Sequence, residues 1–211
     1  MRKTPSARTG VAGRTLADAL LFGVTALELA WLFPLTPRFT IADWIYVLQH
    51  VLVLVFALAR RPPGQQDHSL AASAAVAVAY TYPYAQVASL KWLPGDAAWY
   101  EGGLVLVTLA AFLSLASLLS LGLRFGVRPA MRGLATGGPY RLVRHPMYLA
   151  YVLADIGYNL EEWNDLTVLL VIAGWASLLY RIRAEERVLA RHGGWTAYVG
   201  RVRNRLVPGV W

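Results

Sequence analysis

The apolar residues of this chain are gathered into runs long enough to cross a bilayer, and that feature removes most folds from consideration. A hydrocarbon core of about 30 Å takes roughly 20 residues of helix. With no water inside it, backbone amides must be satisfied within the segment itself. Six windows meet or approach the requirement: residues 16–35, 41–59, 70–90, 102–123, 146–160 and 166–180. The last two are short and flank the acidic turn Glu161-Glu162-Trp163-Asn164-Asp165, so they read as one helical hairpin. Only 15% of the residues are charged, where a soluble domain carries about 25%. The expected fold class is all-α, a polytopic membrane protein with about six transmembrane helices and a cytoplasmic C-terminal helical segment.

Charge fixes the expected orientation. The net charge of +8 could suggest a nucleic-acid partner, but the cations are not spread as such a surface requires. Eighteen of the 20 Lys and Arg residues fall before the first window, after the second, between the fourth and fifth, and after the sixth. Only Arg38 and Lys91 lie in the opposite loops. This alternation is the positive-inside pattern; it places both termini in the cytoplasm and needs no nucleic acid. Trp31, Trp44, Trp92, Trp99 and Trp163 lie near window ends, as an interfacial aromatic belt does. The first window is long enough to span and has no clear cleavage site after it, so it is expected to stay attached.

Other classes fall away in turn. The chain has no cysteine, which removes disulfides, thiolate metal sites and cysteine nucleophiles. His50, His68, His145 and His192 lack the spacing of a zinc site, so no metal is expected. The pairs Gly102-Gly103, Gly137-Gly138 and Gly193-Gly194 do not fit a dinucleotide-binding loop.

One membrane domain is expected, in three territories: a basic N-terminus at 1–15, scaffold helices over 16–116, and a chemically denser half at 117–211. In the scaffold, Ala71, Ala75 and Ala79 repeat at four residues, a spacing that lets helices approach closely. Pro83 should kink the third helix. Glu28 and the pair Gln49-His50 are costly facing lipid and should point inward, to a structural hydrogen bond or to a cavity.

The dense half carries two motifs. The first is the run Gly137-Gly138-Pro139-Tyr140-Arg141-Leu142-Val143-Arg144-His145-Pro146-Met147-Tyr148. Pro146 suits the first turn of a helix, which puts Arg144 and His145 at its mouth. Free backbone N–H groups, the helix dipole and a guanidinium then converge where an anionic group would bind; lipid-headgroup anchoring is the plainer use of Arg144. The second motif is Arg181-Ile182-Arg183-Ala184-Glu185-Glu186-Arg187. Arg181 and Glu185 share a helix face, as a surface ion pair also would. Glu185 and Glu186 diverge by about 100°, so at most one looks into a given pocket. After His192-Gly193-Gly194, Trp195 and Tyr198 share a face of a short helix expected on the membrane surface, with Arg201, Arg203 and Arg205 near headgroups.

With these residues in hand, the chain resembles the membrane-embedded methyltransferases that include isoprenylcysteine carboxyl methyltransferases and phospholipid N-methyltransferases. The likeness rests on Gly138-Pro139-Tyr140, Arg144-His145-Pro146-x-Tyr148, Arg181-x-x-x-Glu185-Glu186 and Leu189, with Gly194 and Tyr198 beyond, and runs roughly from Ser117 to the C-terminus. It implies S-adenosyl-L-methionine as methyl donor and a lipid-like or hydrophobic acceptor, with an isoprenylcysteine carboxyl methyltransferase-like activity first and a phospholipid N-methyltransferase as alternative. By the same resemblance, Gly138, Tyr140, His145, Tyr148, Glu185 and Glu186 would contact the cofactor, while Arg144, Arg181 and Glu185 would serve the chemistry. Two departures bear on the acceptor: Ala150 stands where the family often has glycine, and Trp195 and Tyr198 are differently registered against Gly194. Sterol reductases carry a similar Arg-His-Pro-x-Tyr run, which keeps an NADPH-dependent enzyme as the rival. A non-enzymatic membrane protein explains the pair of motifs least well. Asp155 and Asn159, with Tyr151 and Tyr158, would line an acceptor route or simply join helices by hydrogen bonds.

Overall fold

A computed structural model describes residues 40–59, 69–93, 95–96, 98–126, 130 and 132–211, with isolated positions 23, 25, 26 and 30. The chain divides into two units, Met1–Ala59 and Arg60–Trp211. In the first, helix α1 (Ile41–Ala59) has the bounds expected from hydropathy. It starts at a reciprocal cap: the Thr40 amide donates to the Asp43 carboxylate at 2.7 Å, and the Asp43 amide donates to Thr40 Oγ1 at 3.3 Å. His50 settles its polarity inside the helix, its Nδ1 lying 2.8 Å from the Tyr46 carbonyl. The window at 16–35, with Glu28, lies outside the described residues apart from those isolated positions.

The second unit contains α2 (Leu70–Trp92), α3 (Tyr100–Leu121), α4 (Pro146–Glu161), α5 (Asp165–Leu189) and α6 (Trp195–Arg201), with 3-10 turns at Gly122–Arg124 and Gly138–Arg141. No strand occurs among the described residues. Helices α3 and α4 pack against each other, as do α2 and α5. The α4–α5 hairpin expected from sequence exists in connectivity, but the two helix backbones stand apart and meet mainly through long side chains.

Glycine sets the α3–α4 contact. A Cβ on Gly157 would sit 2.9 Å from the Gly103 carbonyl oxygen, and one on Gly103 would sit 2.6 Å from that of Gly157. Only hydrogen at both positions allows the backbones this approach. On α2 the packed face runs through Ala72, Ala75, Tyr82, Gln86 and Ser89, all buried, whereas Ala71 is exposed. The four-residue alanine stripe read from sequence therefore gives the face correctly at Ala75 and misses it at Ala71. The actual row advances by threes and fours, which follows the 3.6-residue turn more closely. Ser177 Oγ on α5 donates to the Ala75 carbonyl at 2.7 Å. One turn further, the Tyr82 ring occupies the space a side chain at Gly174 would need.

Asp155 on α4 joins three helices. It accepts from Tyr82 Oη on α2 at 2.9 and 3.1 Å and from Trp175 Nε1 on α5 at 2.8 Å. Asn159 donates to the Asp155 carbonyl at 2.8 Å and accepts from Thr167 Oγ1 at 3.0 Å. The pair thus joins helices by hydrogen bonds, one of the two roles expected for it, and it also borders an apolar groove of about 280 Å³ with Val168, Val171, Ile172 and Trp175.

The helix ends away from the arginine motifs are joined through the main chain. Asp96 and Trp163 exchange amide hydrogen bonds of 2.8 and 3.1 Å, and the Trp99 amide donates to the Leu160 carbonyl at 2.8 Å. Asn164 caps α5 through Thr167 and donates from Nδ2 to the Leu93 carbonyl. Trp92, Trp99 and Trp163 lie exposed at this end, matching the expected belt.

Three helical stretches among the described residues are long and apolar enough to cross a membrane: Ile41–Ala59, Tyr100–Arg124 and Asp165–Leu189. Six were expected. Helix α4, with 16 residues, is about 24 Å long, and α2 carries too much polarity to qualify by composition.

Candidate active site

Pro146 opens α4 as expected, but the N–H groups before it are not free for a ligand. The Arg144 and His145 amides donate to the carbonyls of Asn204 and Arg205, each at 2.9 Å. Arg144 Nη2 adds a bond to the Arg203 carbonyl at 2.9 Å. Residues 203–206 thus lie as a strap across the mouth of α4, and Leu206 enters the small core of Tyr148, Leu178 and Ile182. The anion cradle inferred from sequence is filled by the chain's own carbonyls, which satisfy those amides without any charge.

Under this strap the two motifs meet. Helix α5 continues past its apolar stretch without a break, so Arg181, Glu185 and Glu186 are delivered by one unbroken helix to the first turn of α4. Glu186 is held by three groups: Arg144 Nη1 at 2.8 Å, Arg205 Nη2 and Nε at 2.9 and 3.0 Å, and His145 Nε2 at 3.4 Å. Glu185, a quarter exposed against 13% for Glu186, accepts from the Tyr148 hydroxyl and has His145 Nδ1 at 3.7 Å. The His145 ring, 4% exposed, thus stands between the two carboxylates. It stacks on Tyr148 with centroids 5.7 Å apart. Arg181 lies buried with its guanidinium 5.3 Å above the Tyr148 ring, a cation–π geometry.

The Gly138–Arg141 turn forms the neighbouring wall. Gly138 has φ +55, a backbone conformation that favours glycine, and it packs close to the Ser120 side chain on α3. Tyr140 is buried, and its carbonyl accepts from Tyr198 Oη at 2.9 Å. Burial first, and then the Glu185 charge, push the Tyr140 phenol above its ordinary range. Tyr198 is only 2% exposed, so this residue docks α6 onto the Gly138–Arg141 turn, where the sequence predicts its aromatic face on the membrane surface. Burial also pushes the Tyr198 phenol up, to about 12.

The structure therefore brings Arg144, His145, Tyr148, Arg181, Glu185 and Glu186 to one place, with Tyr140 and Gly138 beside them. Arg205 was missed. Sequence put it at lipid headgroups with Arg201 and Arg203, and an alternating arginine in an extended segment carries no signal that separates an inward member from its neighbours.

The geometry sorts the charges. Glu186 is neutralised by Arg144 and Arg205, which makes it a strut between α4, α5 and the strap. Glu185 retains an accessible carboxylate edge beside two aromatic faces. Arg144 Nε is buried with no hydrogen-bond partner. A carboxylate, aromatic walls and an unused guanidinium donor suit a ligand bearing both an ammonium and a carboxylate.

Comparison with known proteins gives one family: residues 99–194, slightly under half the chain, match the model for phospholipid methyltransferases. The match begins earlier than the resemblance read from the motifs and ends before Tyr198 and Arg205. No curated protein matches the chain.

Proposed function

We propose, from the match of residues 99–194 to the phospholipid methyltransferase family model, that the chain transfers a methyl group from S-adenosyl-L-methionine to the amine of a lipid-like acceptor. The observation that carries the amine is the division of labour between the glutamates. The Arg144 and Arg205 cations are spent on Glu186, while Glu185 keeps an accessible edge. A carboxylate beside the reacting amine attracts it and accepts a proton.

Bound at this site, the cofactor supplies an electrophilic methyl on a sulfonium. Glu185 would pair with a cationic or hydroxyl group of that ligand, the Arg144 Nε donor left over from its ion pair with Glu186 would serve its carboxylate, and Tyr148 and His145 would form an aromatic wall. Tyr148 orients Glu185 by donating its hydroxyl to it. Transfer in line would need no covalent link to the protein, and the proton lost by the acceptor amine would pass to the Glu185 carboxylate. The residues act by alignment and by excluding water. The arginine-rich loops support a cytoplasmic position for this end of the bundle and for both termini, so the polar donor arrives from the cytoplasm and the acceptor from the bilayer.

A carboxylate acceptor, as in prenylcysteine, is the second reading. The buried Arg181 guanidinium over Tyr148 favours it by offering an orienting cation. The test has two stages. Calorimetry of S-adenosylhomocysteine with the detergent-purified chain should show micromolar binding that Glu185→Gln abolishes; binding of NADPH instead would overturn the proposal in favour of a reductase. Labelled methyl transfer to phosphatidylethanolamine vesicles then separates an amine acceptor from a prenylcysteine one.

A further inference from the structure

Outside the matched segment 99–194, the Arg205 side chain reaches into the charged centre of the site. Arg205 presents both Nε and Nη2 to the same oxygen of Glu186, at 3.0 and 2.9 Å. Its guanidinium is backed by the Trp211 ring at 5.2 Å, and its carbonyl accepts the His145 amide at 2.9 Å. The residue therefore holds the site twice, through its backbone to the mouth of α4 and through its side chain to α5.

We propose that Arg205 is a positioning residue of the methyl-donor site, acting through Glu186. The inference rests on the methyltransferase reading above. Glu186 meets Arg144 and His145 through Oε1 and Arg205 through Oε2. Fixing both oxygens fixes the carboxylate plane, and with it the edge against which the His145 ring lies. His145 in turn stacks on Tyr148, which donates to Glu185. The order runs from Arg205 to Glu186 and from there to His145, Tyr148 and Glu185, which form the ligand-facing side of the site. A planar fork sets direction as well as charge, which a lysine ammonium does not.

The test is a double-mutant cycle on the full chain in detergent, read as the Kd of S-adenosylhomocysteine by calorimetry, with melting as the check on folding. Arg205→Gln should weaken binding about tenfold, and Arg205→Lys should recover part of it, since charge without the fork orients Glu186 incompletely. In a Glu186→Gln background, Arg205→Gln should add no further loss, because the path is already cut. Arg201→Gln, an exposed arginine at the end of α6 and outside the strap, should bind as wild type. Wild-type binding alongside an unchanged Arg205→Gln overturns the proposal alone, and so does an equal loss in both backgrounds, since the effect then bypasses Glu186. A wild type that does not bind the probe overturns the methyl-donor reading and the proposal with it.

Discussion

Tyr82 donates its hydroxyl to the carboxylate of Asp155, 73 residues along the chain and two helices away, at 2.9 and 3.1 Å from its two oxygens. With Trp175 as the second donor, this carboxylate ties α2, α4 and α5 in the apolar layer. Tyr82→Phe removes one donor and keeps the ring that packs on Gly174. The expected cost is about 1 kcal/mol in denaturant unfolding in detergent, the range of interhelical hydrogen bonds in membrane proteins. Asp155→Ala strands two buried donors and should cost more, about 2–3 kcal/mol; an Asp155→Ala protein as stable as wild type would remove the tie.

The α3–α4 crossing gives a paired prediction on glycine. Gly157→Ala brings a methyl within 2.7 Å of Val107 Cγ2 and 2.9 Å of the Gly103 carbonyl, so the helices must separate, at about 1–3 kcal/mol. Gly200→Ala in α6 meets nothing within 4 Å and should leave the melting temperature unchanged or raise it slightly. Equal effects at the two positions would contradict the crossing.

The neighbouring glutamates should fail in different ways. Glu185→Gln should lose S-adenosylhomocysteine binding while melting close to wild type, because its carboxylate is partly exposed. Glu186→Gln faces Arg144 and Arg205 with a neutral amide and should lower stability by about 2 kcal/mol or more. Melting and calorimetry on the same samples separate the two.

Alkaline pH should loosen the docking of α6. The Tyr198 phenol is raised from 10.0 to about 12 by burial, so folding favours its neutral, donating form. That contribution is whole below pH 10 and is lost as pH rises through about 12. Tyr198→Phe lacks the bond to the Tyr140 carbonyl at any pH, so its stability should fall less steeply than wild type between pH 10 and 12. Parallel curves would show that Tyr198 does not carry the dependence.

Hydropathy located α1 to the residue and α2 to α5 within a few residues of their observed ends, apart from the nine residues by which α5 runs on through its arginines to Leu189. Apolar runs are a local signal, and local signals survive in a sequence. The convergence of Arg144, His145, Tyr148, Arg181 and Glu185 was legible because two helix ends joined by a short turn must return to one side. The sequence also limited the adjacent glutamates to one pocket-facing member, but which one depended on Arg205. A contact between an extended segment and a helix mouth about 60 residues earlier has no periodicity to betray it. The strap also changed the meaning of Pro146: the helix start was read correctly, and the occupant of its amides was not. Asp155 stands out in sequence as a polar group in an apolar window, but its partner Tyr82 does not, since nothing local links the two.

The amide exchange between Asp96 and Trp163 gives the bundle the mechanics of tongs. The connections α2–α3 and α4–α5 are riveted together at the tryptophan end by main-chain bonds, while the opposite end is closed by side chains and the strap. A lever amplifies play in proportion to distance from its pivot. Glu185 lies 20 residues beyond Asp165 on an unbroken helix, about 30 Å away, so a tilt of about 5° at the rivet displaces the carboxylate by about 2.6 Å. The position of the Glu185 carboxylate is therefore set by that distant joint as well as by the contacts around it.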